Sequence, residues 1–421
     1  MTLTERDKKY IWHPLKQHQT HPESLGIVKA KGCVLTDENG KEYIDAVSSW
    51  YTCMFGHCND YIIEKVYQQM QQLDQIMFSD FTHPAAVELS EKLIGILPKN
   101  QAKIFFNDNG STAVEAAIKM ALQYYFNQGE KRTTFIAFEN GFHGDTFGAM
   151  SASGLSVYNG PFEDFLINVH RIPVPNGKNH QEILKKLEAI TEENKVAAFV
   201  YEPILQGAAG MKIHNADGLN EILKFFRSKE IISIADEVMT GFGKTGKYFA
   251  SDYVEIKPDI MCMSKALTGG MVPMAITSCT KKIYDAFLSK DIAKGFFHCH
   301  TYSANPIACA ASIASIDLLT SKEIKQSIIW ISNEHKKFND KFKNHSKIAA
   351  IRNIGVVLAI DLDIVMQRYG SLRDKLLTSF MKQGIFLRPL GNTIYIQVPY
   401  TINSKELYKI YGAIEKTINA L

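Results

Sequence analysis

The sequence has no run of about 18 apolar residues, which excludes a hydrophobic membrane-crossing helix. Its opening residues, Met1-Thr-Leu-Thr-Glu-Arg-Asp-Lys-Lys9, contain no apolar signal-peptide core. The seven cysteines, at 33, 53, 58, 262, 279, 299 and 309, form no CxxC pair and are odd in number. Several lie in apolar runs, so reduced thiols are expected, and neither a disulfide framework nor a metal site. Excess charge is also scarce: the formal net charge of +3 leaves no basic footprint for nucleic acid. No internal repeat or low-complexity linker interrupts the chain. These absences predict a cytoplasmic globular protein with neither nucleic acid nor membrane as partner. What is present is ordinary in bulk, 46% hydrophobic and 22% charged residues in a chain of 421, long enough for a large core with a smaller companion domain.

The informative stretch is Ile231-Ile-Ser-Ile-Ala-Asp-Glu-Val-Met-Thr-Gly-Phe-Gly-Lys244, followed by Ser264-Lys-Ala-Leu-Thr-Gly-Gly270. Ile231 to Ala235 is the short, β-branched kind of run that a parallel sheet buries on both faces. Asp236 and Glu237 then fall at its carboxyl end, where open α/β sheets place their ligand crevice. A second apolar run, Asp259 to Met263, delivers Lys265 in the same way. One acid and one amine are thereby expected at neighbouring strand ends.

Before this stretch, residues 1 to 26 read as a polar, irregular arm. Ile27 to Thr36 and Lys41 to Asp45 read as two strands joined by the turn Asp37-Glu-Asn-Gly40. Trp50 and Tyr51 follow in a loop and either pack in the core or wall a pocket. Helical spacing covers Tyr61 to Leu73 and Ala85 to Leu97. The strand Ile104 to Phe106 runs through Asn107-Asp-Asn-Gly-Ser-Thr112 into a helix from Ala113. A strand, a glycine turn and hydroxyls at a helix start offer N–H groups to a phosphate, or are an ordinary capped turn. Phe135 to Phe138 leads to Gly141-Phe-His-Gly144, suited to covering a flat ring or to packing as a loop. Val196 to Val200 leads to Tyr201-Glu-Pro203, and Thr301 offers a further hydroxyl before the alanine-rich helix Ile307 to Leu319.

Strands alternating with helices predict an α/β, mostly parallel, doubly wound sheet in a large domain, with a small α+β domain beside it. The expected bounds are residues 1–50 for an arm and hairpin belonging to the small domain, 51–320 for the large domain, and 321–421 for the remainder of the small one.

A lysine in an apolar strand-end setting loses its charge more easily than one in water and can then form a Schiff base. Such chemistry with pyridoxal phosphate needs a lysine, a carboxylate for the pyridine nitrogen and a phosphate cup. Lys265, Asp236 and the turn at Gly110 and Ser111 offer all three.

The run Asp236-Glu-Val-Met-Thr-Gly-Phe-Gly-Lys-Thr-Gly246 with the Ser-Lys pair at 264–265 resembles the signature of the class III, fold-type-I aminotransferases, and the resemblance spans essentially the whole chain. Ile11-Trp-His-Pro14, Val47-Ser-Ser-Trp50, Gly141-Phe-His-Gly-Asp-Thr-Phe-Gly-Ala-Met150, Arg388-Pro-Leu-Gly391 and Tyr395-Ile-Gln-Val-Pro-Tyr400 are similar to the branch that aminates 8-amino-7-oxononanoate in biotin synthesis. The resemblance implies that Lys265 carries the cofactor and moves the proton, and that Asp236 pairs the pyridinium. It implies that Gly110 and Ser111 hold the phosphate, that His300 and Thr301 reach the phosphate of a partner subunit in a homodimer, and that Phe142, His143, Glu202 and Val238 surround the ring. Trp50 would line the substrate channel with Tyr51, Leu15 and Cys299, and Arg388 would bind a keto-acid carboxylate. The cycle would be ping-pong.

Several positions depart from the family pattern: Phe142 stands for a tyrosine, Leu15 for a tyrosine, Tyr51 for a tryptophan, Cys299 for a glycine and Lys244 for an arginine. They leave the amino donor open between S-adenosylmethionine and lysine. Other class III ω-amino acid aminotransferases, an aminomutase, and a non-catalytic cofactor-binding protein are the competing readings.

Overall fold

Seven strands form the main sheet of the computed structural model, which describes residues 1–154, 159–364 and 371–421. Their spatial order is Gln101–Asn107, Ala275–Thr280, Ile260–Met263, Ile232–Asp236, Val196–Tyr201, Thr134–Phe138, Val169–Ile172. The last five pair in parallel. Ala275–Thr280 is antiparallel to both neighbours, because the link from Met263 holds only one short 3-10 turn, Lys265–Thr268, and a parallel return needs a crossover of about a dozen or more residues. Gln101–Asn107 therefore runs in the same direction as the five. The edge strand Val169–Ile172 was not expected; its half-buried Val-His-Arg-Ile is too short and polar to read as a sheet strand.

The strand Ile232–Asp236 is wholly buried, as its β-branched composition requires. The helix Gly110–Asn127 packs Ala113, Val114, Ala117, Ile118 and Ala121 into one core with Phe135, Val200, Ile234 and Ile260. Truncating Ile234 to alanine there would cost roughly 2–5 kcal/mol. This helix starts three residues earlier than the sequence reading placed it, because Asn109 and Thr112 close a reciprocal cap: the Asn109 side chain accepts from Thr112 N (3.1 Å) and Thr112 Oγ1 accepts from Asn109 N (3.1 Å). Gly110 and Ser111 thus form its first turn.

The chain divides into two units, Tyr61–Lys325, which holds this sheet, and Met1–Asp60 with Gln326–Leu421. The second-named unit carries a four-stranded sheet, Ile27–Lys31, Val34–Asp37, Glu42–Asp45 and Ile385–Phe386, and a three-stranded one, Ile348–Ile354, Val357–Leu362 and Thr393–Gln397. The expected hairpin is thus a three-stranded antiparallel meander. Gly32, at φ 57°, turns the chain where one long strand was read. The arm is not irregular throughout, since Thr2 caps a helix Leu3–Tyr10. No helix among the described residues is long and apolar enough to cross a membrane.

Candidate active site

Four adjacent parallel strands deliver one polar group each at their carboxyl ends. Asp236 ends its strand; Lys265 follows Met263 on one neighbour, and Glu202 follows Tyr201 on the other. Phe142 and His143 follow Phe138 on the strand beyond. Parallel register sets Asp236 and Glu202 at one level, because Ala235 lies opposite Tyr201, while Cys262 stands opposite Asp236 and Lys265 follows three positions further on.

Asp236 is buried and engaged at both oxygens. Oδ2 meets His143 Nδ1 at 2.8 Å and Oδ1 accepts from Val238 N at 3.0 Å. Burial by itself would lower the imidazole pKa, but the hydrogen bond and charge of Asp236, with Glu202 behind it, raise it. The far ring nitrogen of His143 is buried without a hydrogen-bond partner, and its main-chain N–H donates to Ser153 Oγ at 2.9 Å. Glu202 accepts from Phe142 N (3.1 Å) and Gly207 N (2.9 Å). Burial pushes its carboxyl up to about 7, against the lowering effect of His143. Lys265 sits at φ 51°, a left-handed conformation that side chains rarely adopt. Burial lowers its amine pKa, opposed by the charges of Asp236 and Glu202. A lysine held this way keeps a larger share of neutral, nucleophilic amine than a lysine in water.

Glu237, the second acid of the stretch, turns away from these groups. It accepts from Thr240 Oγ1, Ala250 N and Ser251 N at 2.6, 3.0 and 2.7 Å and organises the following loop. Lys244 is fully buried and donates to the Gly241 carbonyl at 3.1 Å. Burial first, and then the charge of Lys265, hold its pKa well below the ordinary lysine value.

The start of the helix Gly110–Asn127 is built for close approach. A Cβ at Gly110 would meet Val238 Cγ1 at 2.8 Å, and one at Gly144 would meet Ser111 Oγ at 2.2 Å, so both positions demand glycine. Ser111 Oγ accepts from Asp145 N at 3.2 Å. The first-turn N–H groups and this hydroxyl suit an anion, and the buried His143–Asp236 pair with Lys265 suits a ring bearing a nitrogen and an aldehyde. These residues fit the cofactor that the chemistry of the site calls for. Phe142, 44% exposed, presents an aromatic face without a hydroxyl. His300 Nε2 lies 3.3 Å from Asn107 Oδ1, and its Nδ1 3.7 Å from Asp108. Thr301 is exposed, its carbonyl accepting from Gln75 Nε2 at 2.8 Å, and Cys299 is exposed beside it.

In the other unit, Trp50 and Tyr51 lie on neither a loop nor a right-handed helix. Ser48, Ser49, Trp50 and Tyr51 have φ of 49°, 45°, 65° and 73°, and the bonds Tyr51 N→Val47 O and Thr52 N→Ser48 O close a left-handed helical turn. Left-handed helix costs roughly 1–2 kcal/mol per non-glycine residue, so surrounding contacts must enforce it. Asp45, fully buried, takes Val47 N (3.1 Å), Ser49 N (2.6 Å), Ser49 Oγ (3.1 Å) and His57 Nε2 (2.9 Å), while Ser48 Oγ donates to Gln397 O at 2.7 Å. The turn holds Trp50 at 48% exposure with the Arg388 guanidinium 5.2 Å from its ring centroid, and Tyr51 Oη donates to Tyr395 Oη at 2.8 Å. Leu15 is exposed in the arm, at φ 51°. Sequence reasoning overlooked Asp45 and His57; their only signal was a carboxylate at a strand end before two serines.

The sheet order, with a single antiparallel strand inside it, and the lysine and acid on adjacent strand ends define an aminotransferase of fold type I. The family model described as Aminotransferase class-III matches residues 15–418, and the chain belongs to that family. A Synechococcus elongatus protein named adenosylmethionine-8-amino-7-oxononanoate aminotransferase is 38% identical over 98% of this chain and 99% of its own length. The crystal structure of the enzyme of that name from Methanocaldococcus jannaschii superposes with a TM-score of 0.91 at 32% identity, covering 99% of this chain and 98% of that one. An amine transaminase from an uncultivated Pseudomonas species, in its PLP-bound form, superposes at 0.90 with 27% identity, covering 97% and 98%.

Proposed function

We propose that this chain transfers an amino group to 8-amino-7-oxononanoate in biotin synthesis, giving 7,8-diaminononanoate, with S-adenosylmethionine as donor and pyridoxal phosphate as cofactor. The observation that carries the reaction type is the buried 2.8 Å pairing of His143 with Asp236 beside the strand-end Lys265. The substrate follows from the name shared by full-length relatives at up to 38% identity, against 25–27% for the amine and ω-transaminase structures.

Pyridoxal phosphate, when bound, supplies a ring that withdraws electrons from the substrate carbon bearing nitrogen. The chain supplies the rest. Lys265 Nζ would hold the cofactor at its aldehyde carbon and, when free, would move a proton to and from the substrate carbon that bears nitrogen. Asp236, held in place by the His143 imidazole, would pair with the ring nitrogen. Gly110 and Ser111 would take the phosphate, and Val238 and Phe142 would hold the ring by apolar contact. Glu202 positions the Phe142 main chain and lies near the ring substituents. Arg388 offers a planar fork to a substrate carboxylate, with Trp50 as an apolar wall. His300 and Thr301 serve the phosphate of a second subunit in a cytoplasmic homodimer.

Purified protein supplied with pyridoxal phosphate, 8-amino-7-oxononanoate and S-adenosylmethionine should form 7,8-diaminononanoate. Formation with lysine alone would replace the donor. No product with either, alongside turnover of an ω-amino acid, would replace the substrate.

A further inference from the structure

The left-handed turn Ser48–Tyr51 is the most strained segment that the proposed chemistry uses without explaining. Four consecutive residues with side chains occupy it, none of them glycine. One carboxylate makes most of the bonds that hold it: Asp45, with no exposure, collects the N–H groups of Val47 and Ser49, the Ser49 hydroxyl and the His57 imidazole, while Ser48 Oγ donates to the Gln397 carbonyl. His57 is itself anchored by main chain. Its N–H and carbonyl pair with Gly32 at 2.7 and 3.0 Å. The preceding Gly56, at φ 81°, lies so close that a Cβ would meet Gly32 Cα at 3.1 Å and Thr401 Oγ1 at 2.8 Å. The imidazole therefore comes from a fixed platform to a carboxylate that organises the turn.

The turn carries two of the side chains assigned above to substrate. Trp50 stacks against Arg388, and Tyr51 bonds Tyr395. If the turn relaxed to ordinary right-handed or extended backbone, the Trp50 ring would leave the Arg388 guanidinium, because reversing φ redirects Cα–Cβ bonds. A guanidinium covered on one face by an indole keeps its edge free and oriented for a planar anion.

We propose that Asp45 and His57 are positioning residues that lock the Ser48–Tyr51 turn left-handed, and so set the Trp50–Arg388 stack that orients a substrate carboxylate. This rests on the proposed role of Arg388 and concerns substrate affinity rather than the chemistry at Lys265.

The test uses the cofactor-loaded full chain in a Trp12→Phe, Trp330→Phe background, which leaves Trp50 as the sole tryptophan of three. His57→Gln should raise KM for 8-amino-7-oxononanoate about tenfold, with kcat and the visible cofactor absorbance within about twofold. Trp50 emission should shift to the red, and iodide quenching should at least double. Ser49→Ala removes one hydroxyl from the same carboxylate and should move both readouts the same way by a smaller factor, which keeps the test valid should His57→Gln fold poorly. Arg388→Ala separates the two layers. If it leaves KM for the acceptor unchanged, the role of Arg388 fails. If it raises KM while His57→Gln and Ser49→Ala alter neither KM nor Trp50 emission, the lock is overturned.

Discussion

His143 Nδ1 and Asp236 Oδ2 lie 2.8 Å apart at the ends of two strands that are separated by a third. The pair has no exposure to speak of, and Glu202, on the intervening strand, adds a second carboxylate to its field. The two carboxylates thereby favour the protonated imidazole, in a place where burial alone would favour its neutral form.

Replacing His143 by asparagine should remove the imidazole bond that holds the Asp236 carboxylate in place. Loss of a buried, charge-assisted hydrogen bond of about 1.5–3 kcal/mol should lower turnover about ten- to a hundredfold. The absorbance titration of the Lys265-bound cofactor should move to higher pH, since a less firmly protonated ring acidifies that nitrogen less. Unchanged titration and turnover would show that Asp236 needs no partner.

Lys265→Ala should abolish turnover by at least about a thousandfold, the scale expected when a nucleophile and proton carrier is removed. Lys265→Arg should do no better, because a guanidinium does not condense with an aldehyde. Absorbance spectra of the purified variants report directly whether the lysine-linked chromophore forms.

Arg388→Ala should raise KM for a carboxylate-bearing substrate about ten- to a hundredfold through loss of a charge-assisted pair. Arg388→Lys should recover only part of this, since an ammonium has neither the fork nor the flat face that stacks on Trp50. Steady-state kinetics with a matched uncharged analogue separate this effect from a general loss of fold.

Acid stability should carry the mark of two buried neutral histidines. Burial holds His214 down to about 3, aided by Lys212, and His335 down to about 4, where the Val356 carbonyl and Glu334 oppose it. The unfolded chain takes up these protons from 6.5 downward while the native state does not, so their contribution is complete above 6.5 and is lost as pH falls toward 4 and 3. Glu202, raised to about 7, acts in the opposite direction between 7 and 4.5. The informative comparison is therefore parent against His214→Phe, which keeps a ring beside Phe138. Urea midpoints measured from pH 7 to 4 should fall less steeply for the variant, and equal slopes would refute the role of His214.

The residues at the ligand edge of the sheet were legible because strands of a parallel sheet announce themselves. An apolar, β-branched run such as Ile231 to Ala235 has one plausible burial, and whatever follows it lies at the ligand edge, so Asp236, Glu202 and Lys265 could be placed from their neighbours in the chain. The class III motif then tied them together. Sequence alone also marked Gly110 and Ser111, since a glycine turn with hydroxyls between a strand and a helix offers N–H groups to an anion, whereas the Asn109 cap that starts the helix at Gly110 emerged only in the structure.

What pairs with what was decided by the tertiary structure. Asp236 and Glu237 are adjacent acids with equal claims in the sequence, but only one meets His143, while the other is consumed by Thr240, Ala250 and Ser251. The choice follows from the alternation of side chains at the strand end and from loops that come from elsewhere in the chain. The hand of the Ser48–Tyr51 turn was equally invisible. Nothing in Ser-Ser-Trp-Tyr favours positive φ, and the preference arises from Asp45 and Gln397, far apart in sequence, closing on the turn together. Local pattern thus determined which groups reach the edge of the sheet, and long-range contacts determined their partners, their charge and the direction in which Trp50 faces.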